Sequence, residues 1–99
     1  MDRIFVSYPV SDNPIKRKEE NRALIERLQK ENPDVLFISP LLLFDMEDDE
    51  KRDEIMEVCK EIILNSCDEV WSFGDSEGCR CEREFAEMYG VPLKIKKEK

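Results

Sequence analysis

The sequence predicts an α/β protein built on a parallel sheet, and three observations lead to that prediction. Four short apolar runs alternate with three longer helical segments along the chain. The connections between these segments are short, and strand-helix alternation of this kind is typical of parallel strands joined by crossover helices. The runs are apolar, as is typical of strands that have helices on both faces of their sheet.

The four predicted strands are rich in β-branched and aromatic residues, and proline or glycine marks their ends. They are "RIFVSYPV" at 3–10, "VLFIS" at 35–39, "DEVWSFG" at 68–74 and "PLKIK" at 92–96. Right-handed crossovers between them predict a flavodoxin-like three-layer fold with a four-stranded parallel sheet. Its simplest strand order is 2-1-3-4.

The first two predicted helices are recognised from their apolar faces. The first begins at Pro14 with Asn13 as its N-cap, and Asn32 and Pro33 end it. Its apolar face is predicted to contain Ala23, Leu24 and Leu28. The second runs from about 49 to 65, and one apolar stripe follows it through Ile55, Met56, Cys59, Ile62 and Ile63.

The third predicted helix spans roughly 79–89 and has a clear stop signal. Gly90 is in the position that commonly follows a helix, and Pro92 prevents continuation. Before the second helix lies the apolar run "LLLF" at 41–44, the least polar stretch outside a strand. It has three readings: a segment that packs against the second helix, a dimer contact, or a lid over a pocket.

Composition restricts the class of protein and its partners. A chain of 99 residues has room for one core, so we expect a single domain over 1–99. The net charge of −8 argues against nucleic-acid binding, which requires a basic face. No apolar run approaches the length of a membrane span, so we expect no membrane partner. The N-terminal run also lacks the pattern of a signal peptide, and a cytoplasmic location is the expectation.

The four cysteines are expected to be reduced thiols in this setting. Cys79 and Cys81 form a C-x-C pair, but the chain contains no histidine, and zinc sites normally use C-x2-4-C spacing. We therefore expect small buried side chains rather than a metal site, and no cofactor.

The predicted strand order places a ligand site beyond the carboxyl ends of the first and third strands, where the order reverses. The loop "SYPVSDN" at 7–13 leaves the first strand, and "GDSEGCRC" at 74–81 leaves the third. The predicted substrate-binding residues in these loops are Ser7, Tyr8, Pro9, Asp75, Ser76, Gly78 and Cys79.

Several of these residues also have ordinary structural roles. Tyr8 suits stacking on a base, or it is simply a buried aromatic at a strand end. Gly78 permits either a tight turn or a close approach of the backbone to a ligand. Ser76 is either an N-cap or a phosphate ligand, and Asp75 is either a turn residue or a hydrogen-bond partner of a base or ribose.

Glu82 stands out because it is a carboxylate on an apolar helix face. It shares that face with Phe85, Ala86 and Tyr89, whereas Glu84, Glu87, Arg80 and Arg83 are free to face solvent. Burying an unpaired carboxylate is costly, although the nearby helix N-terminus favours its ionised form. An ionised, partly desolvated carboxylate at a pocket floor suits nucleophilic attack. The other reading is a capping residue or a helix-terminal charge.

Over nearly its whole length the chain resembles the small DUF4406-type proteins of the nucleoside 2-deoxyribosyltransferase superfamily. Members of that family contain segments that look like "YISGP", then an Asn-containing helix, then "M…C…L..CD" and finally "S.GA..E...A...G.P". This chain has "FVSYP" at 5–9, Asn21, "SPLLLF" at 39–44, "IMEVCKEIILNSCDEVW" at 55–71 and "SEGCRCEREFAEMYGVP" at 76–92.

The resemblance implies cleavage or transfer of the N-glycosidic bond of a deoxynucleoside or its monophosphate, with a homodimer or higher homo-oligomer as the assembly. It puts Glu82 at the catalytic glutamate and Ser76 where monophosphate hydrolases of the superfamily bind phosphate. The chain departs from the pattern at Phe5 and Tyr8, and Lys60 lies about where enzymes of the superfamily have an acid. Two alternatives to the enzyme are a non-catalytic nucleotide-binding module and a protein-interaction subunit.

Overall fold

The computed structural model describes residues 2–9, 14–43 and 49–96, and in this part of the chain it contains one parallel sheet. The strands are β1 (Asp2–Ser7), β2 (Val35–Ile38), β3 (Glu69–Ser72) and β4 (Leu93–Ile95). Their order is β2-β1-β3-β4, and every neighbouring pair is parallel. The predicted fold class and strand order are therefore confirmed.

Four α-helices connect or precede these strands. They are α1 (Pro14–Glu31), α2 (Pro40–Leu43), α3 (Arg52–Ser66), which follows a 3-10 turn at Asp49–Lys51, and α4 (Glu77–Tyr89). The short α2 was not predicted as a helix, and it contains the first three residues of the apolar run at 41–44. Phe44 and the predicted N-cap Asn13 lie outside the described residues. None of the described helices is long and apolar enough to cross a bilayer.

The helices cover the two faces of the sheet unequally. One core cluster, formed by Ile4, Val6, Tyr8, Leu24, Leu28 and Trp71, joins α1 to the sheet. The other, formed by Phe5, Ile55, Cys59, Ile63, Val70 and Ala86, lies under α3 and α4. Successive residues of β1 alternate between these clusters because strand side chains point to opposite faces. We refer below to the α1 face and the α3/α4 face.

The predicted apolar face of α1 was wrong at one position. Leu24 and Leu28 are buried, but Ala23 is exposed, and Asn21 is fully buried instead. The spacing of Asn21, Leu24 and Leu28 follows one helix face, so a polar residue occupies the place that an apolar one was expected to hold. The Ser39 hydroxyl donates to Asn21 Oδ1, which links α1 to the end of β2.

The boundaries of α4 follow from its two caps. Ser76 is the N-cap, and its hydroxyl accepts a hydrogen bond from the Cys79 N–H at 3.3 Å. Gly90 has φ of 70°, the left-handed conformation that ends a helix most easily with glycine. The Val91 N–H then donates to the Ala86 carbonyl at 2.8 Å. The predicted start at Cys79 was therefore two residues late, because the capping serine lies three residues before that cysteine.

Candidate functional site

The carboxyl ends of β1 and β3 meet at the predicted switch point. Ser7 and Ser72 are register partners, and the Phe73 N–H donates to the Ser7 carbonyl at 2.8 Å. Beyond the strands, Pro9 and Gly74 pack so closely that a Cβ on Gly74 would lie 2.6 Å from Pro9 Cδ. A side chain at position 74 would therefore force the two loops apart.

Glu82 lies on the α3/α4 face and contacts the end of β1. The Ser7 hydroxyl donates to Glu82 Oε1 at 2.6 Å, and both residues are buried, with Ser7 at 0% and Glu82 at 6% exposure. The short distance is typical of an O–H···O⁻ bond to an ionised acceptor. Ser7 and Glu82 are 75 residues apart in sequence, and the fold brings them together.

A third residue, Cys59 of α3, completes the surroundings of this carboxylate. The cysteine is 1% exposed, and burial together with the nearby Glu82 raises the pKa of its thiol well above the usual range. The Glu82 carboxylate therefore accepts a hydrogen bond from the sheet and lies near the neighbouring helix. Cys59 was predicted only as a small residue of the buried stripe.

Burial dominates the protonation behaviour of Glu82. Desolvation raises its pKa from 4.5 to about 7, although the hydrogen bond from Ser7 and the nearby Cys59 thiol act in the opposite direction. Burial thus outweighs the support for the ionised form that was expected from the helix N-terminus. Because α4 begins at Glu77, Glu82 lies in the second turn, and the favourable effect of a helix N-terminus falls off within the first. Near neutral pH both forms of Glu82 are populated.

Arg83 anchors the loop between β3 and α4, although it was expected to face solvent. Its guanidinium donates to the Gly74 carbonyl at 3.2 Å and to the Asp75 carboxylate. The arginine side chain is only 19% exposed, whereas Asp75 is largely exposed. The hydrogen bond and charge of Arg83 hold the pKa of Asp75 below its ordinary value. Asp75 thus forms an ion pair with the arginine that anchors this loop.

The other predicted residues of this loop form the first turn of α4. Ser76 caps the helix, and Cys79 is buried at 1% exposure, with its N–H directed to Ser76. Gly78 is different, because a Cβ added there would have no heavy atom within 4 Å. Its φ is not positive, so the described backbone does not require glycine at this position. The space in front of Gly78 is open to a ligand.

Tyr8 lies on the opposite side of the sheet from Glu82. Its ring belongs to the core cluster of the α1 face, and its hydroxyl donates to Glu20 Oε2 at 3.1 Å. The structure therefore brings Ser7 to Glu82 and does not bring Tyr8 there. Pro9 follows Tyr8 in the chain and packs on Gly74.

A cavity of about 500 Å³ lies on the α1 face, away from Glu82. It is lined by Arg27, Leu28, Glu31, Asn32, Trp71, Phe73 and Lys96. The last two turns of α1 form one wall of it, and Trp71 of β3 with Phe73 after that strand forms another. The Lys96 ammonium lies 4.3 Å from the centroid of the Trp71 ring and covers part of that surface.

Lys60 occupies the position where the resemblance would place an acid. Its ammonium lies 5.8 Å from the centroid of the Phe85 ring, between α3 and α4. The neighbouring Glu57 and Glu61 are exposed. Within the described ranges no three histidine, cysteine or acidic side chains form a group that could hold a metal ion.

The fold is similar to that of the 2-desoxiribosyltransferase from Leishmania mexicana. The two structures align with a TM-score of 0.67 and 16% sequence identity over 100% of this chain, which covers 66% of the length of that protein. At this identity the likeness shows a shared fold. The sequence matches no protein-family model and no curated protein.

Sequence reasoning did not identify three residues that shape the site. Cys59 was placed on the right helix face, but no pattern showed that this face reaches Glu82. Gly74 and Arg83 were not assigned to the site. A glycine two residues after β3, together with an arginine in the second turn of α4, was the available signal for an anchored loop.

Proposed function

We propose that this domain belongs to the nucleoside 2-deoxyribosyltransferase superfamily and cleaves or transfers the N-glycosidic bond of a deoxynucleoside or its monophosphate. The observation that carries the proposal is a buried carboxylate, Glu82, bonded by the Ser7 hydroxyl at the carboxyl edge of the sheet. A buried acid with a perturbed pKa at such an edge is a marker of function. The fold shared with a 2-desoxiribosyltransferase supports the same class of reaction.

In the proposed reaction the ionised Glu82 acts as the nucleophile. One of its oxygens forms a bond to the anomeric carbon as the bond from that carbon to the base nitrogen breaks. The bonding electrons leave with the base, which takes up a proton. Water or a second base then attacks the anomeric carbon, loses a proton and releases the Glu82 carboxylate, as in retaining glycosidases.

Burial and hydrogen bonding give Glu82 the properties that this role needs. Desolvation makes the carboxylate more basic than an exposed glutamate, and the Ser7 hydroxyl orients it from the rigid end of β1. Because the nucleophile must be ionised, we expect kcat/KM to rise with pH through about 7. A fall through the same range would instead identify the protonated form as the active one, in the role of a general acid.

The first turn of α4 is the proposed site of the substrate's phosphate. The helix N-terminus presents backbone N–H groups, and the open space at Gly78 lets an anion approach them. Ser76 already caps the helix, so its hydroxyl would contact phosphate while it accepts from Cys79. The acidic net charge of the chain does not prevent this, because a helix N-terminus binds anions without basic side chains.

The direct test is release of free base from deoxynucleosides and from their monophosphates, measured by chromatography. Wild type should release base, and Glu82→Gln should lose at least about 100-fold in kcat, the scale of a lost nucleophile or positioned catalytic group. Glu87→Gln, an exposed carboxylate of the same helix, is the matched control and should retain wild-type activity.

The outcomes separate the alternatives. Equal turnover by wild type and Glu82→Gln would contradict the proposed role of Glu82. Nucleotide binding without turnover in both proteins would select the non-catalytic binding module. Self-association without nucleotide binding would favour the interaction subunit.

A further inference from the structure

The cavity of about 500 Å³ on the α1 face has the size and the lining of a ligand site. Sites for small molecules generally have volumes of about 300–1,000 Å³ and combine apolar walls with a few polar groups. Leu28 and Trp71 line this cavity and belong to the core cluster of the α1 face, and Phe73 packs against that cluster. The apolar walls are therefore held in place by packing. The sheet separates them from Glu82, which lies on the α3/α4 face.

Lys96 brings a positive charge to the cavity that no described carboxylate neutralises. Its ammonium lies 4.3 Å from the centroid of the Trp71 ring, and within the described ranges it forms no ion pair. Lys94 of β4 differs, because its ammonium lies 3.1 Å from Glu69 Oε1. The Trp71 ring thus holds the Lys96 ammonium by a cation–π contact and leaves it available to an anion.

Arg27, on the α1 wall of the cavity, supplies a second cation. Its Nε lies 4.0 Å from Glu31 Oε1, and both side chains are exposed. An exposed pair at this distance contributes little, so the guanidinium remains able to bind another carboxylate. Two cations and one carboxylate give the lining a net charge of +1, whereas the chain as a whole has a net charge of −8. This local reversal of charge favours an anionic ligand.

We propose that this cavity binds a small aromatic carboxylic acid in its ionised form. The ring of the ligand lies against Leu28 and Phe73, and its carboxylate lies between the Lys96 ammonium and the Arg27 guanidinium. Aromatic walls suit an aromatic ring, and arginine binds a carboxylate through paired N–H donors. Glu31 repels a second negative charge, so a monocarboxylate fits the lining better than a dianion. The inference concerns a second site and does not depend on the proposed reaction at Glu82.

The alternative is that Lys96 only covers the Trp71 ring from solvent, as long charged side chains commonly do. A lysine with that role alone would close the space beside it, whereas the cavity that Lys96 lines also reaches Arg27 and Phe73. The two roles can be separated by Lys96→Met. Methionine keeps an unbranched apolar chain over the ring but removes the charge.

The test is a titration of the protein with cinnamate, followed by NMR through the indole N–H resonance of Trp71. The chain has a single tryptophan, so this resonance is assigned without further work. Cinnamate should shift it saturably with a Kd of about 1 mM or lower. Cinnamamide has the same ring without the charge and should bind at least about tenfold more weakly, as for a lost hydrogen bond to a charged group. Acetate has the charge without the ring and should cause no saturable shift.

Matched variants identify the charges that hold the ligand. Lys96→Met and Arg27→Gln should each weaken cinnamate binding by about tenfold. Glu31→Gln should strengthen it by about threefold, because it frees Arg27 and removes a repulsive charge. Lys94→Met removes a nearby cation that does not line the cavity. It should change the affinity by less than about twofold, because salt screens exposed charges that do not touch the ligand.

Three results would overturn the inference: no saturable shift of the indole resonance, equal affinities for cinnamate and cinnamamide, or equal losses in Lys96→Met and Lys94→Met. A dimeric protein that binds no cinnamate, and whose indole resonance shifts on dilution, would also overturn it and would assign the cavity to a contact between copies of this chain. Glu82→Gln should bind cinnamate as wild type does. Cinnamate binding without base release would therefore contradict the proposed function alone, and base release without cinnamate binding would contradict this inference alone.

Discussion

Replacing Glu82 with glutamine should stabilise this protein at high pH. Burial raises the Glu82 pKa from 4.5 to about 7, so the folded state holds this proton more tightly than the unfolded chain does. The stability due to this group is therefore fully present below pH 4.5. It is lost as pH rises from 4.5 to about 7, where the folded protein must carry the buried charge.

The size of the effect follows from the shift. The difference between 4.5 and about 7, at 1.36 kcal/mol per pH unit, corresponds to about 3 kcal/mol of unfolding free energy. Glutamine is nearly isosteric and keeps an oxygen that accepts from Ser7, but it has no charge to desolvate. We therefore expect Glu82→Gln to resemble wild type at pH 4 and to exceed its stability by about 3 kcal/mol at pH 8.

The assay is urea unfolding of both proteins at several pH values, followed by fluorescence of the single tryptophan, Trp71. Comparing the two proteins at each pH removes the contributions of all other titrating groups. Glu87→Gln, on the exposed side of α4, should differ from wild type by no more than about 0.5 kcal/mol at every pH. A constant difference between Glu82→Gln and wild type, or a variant less stable at pH 8, would refute the reasoning.

Two glycine substitutions should have opposite effects on the protein. Gly74→Ala places a Cβ 2.6 Å from Pro9 Cδ. It should therefore lower the unfolding free energy by roughly 1–3 kcal/mol in the same urea assay. A stability equal to that of wild type would show that the two loops move apart easily. Gly78→Ala meets no heavy atom within 4 Å, and because alanine favours a helix it should leave stability unchanged or raise it by up to about 1 kcal/mol. If phosphate binds at this turn, Gly78→Ala should also raise KM about tenfold or more for a deoxynucleoside monophosphate and leave KM for the nucleoside unchanged. Equal effects on both substrates would place the phosphate elsewhere.

The arrangement of strands and helices could be predicted from the sequence because it depends on local signals. Proline and glycine mark the ends of α1 and α4, and the short apolar runs fix the strands, so topology rules then give the order 2-1-3-4. The start of α4 was predicted two residues late because the sequence left Ser76 open between an N-cap and a phosphate ligand, and the structure shows the cap. The short helix α2 was not predicted, because four residues are too few to show the apolar spacing of a helix.

The candidate site was predicted only in part, because its key contacts join distant parts of the chain. The helix face of Glu82 could be read from spacing, and the switch point placed Ser7 in the same region. The proximity of Cys59 to Glu82 depends on how α3 and α4 pack, which no local pattern specifies. The same is true of the balance between burial and hydrogen bonding that sets the Glu82 pKa. Tyr8 shows the opposite case, because strand alternation alone would have placed it across the sheet from Ser7.

The most direct test of the central claim is mass spectrometry of peptides from protein quenched during reaction with a deoxynucleoside monophosphate. The account predicts a peptide carrying the sugar phosphate as an ester on Glu82, with no such adduct in Glu82→Gln and an unchanged adduct in Glu87→Gln. Release of free base by wild type together with an adduct on another residue, or with the same adduct in Glu82→Gln, would contradict it.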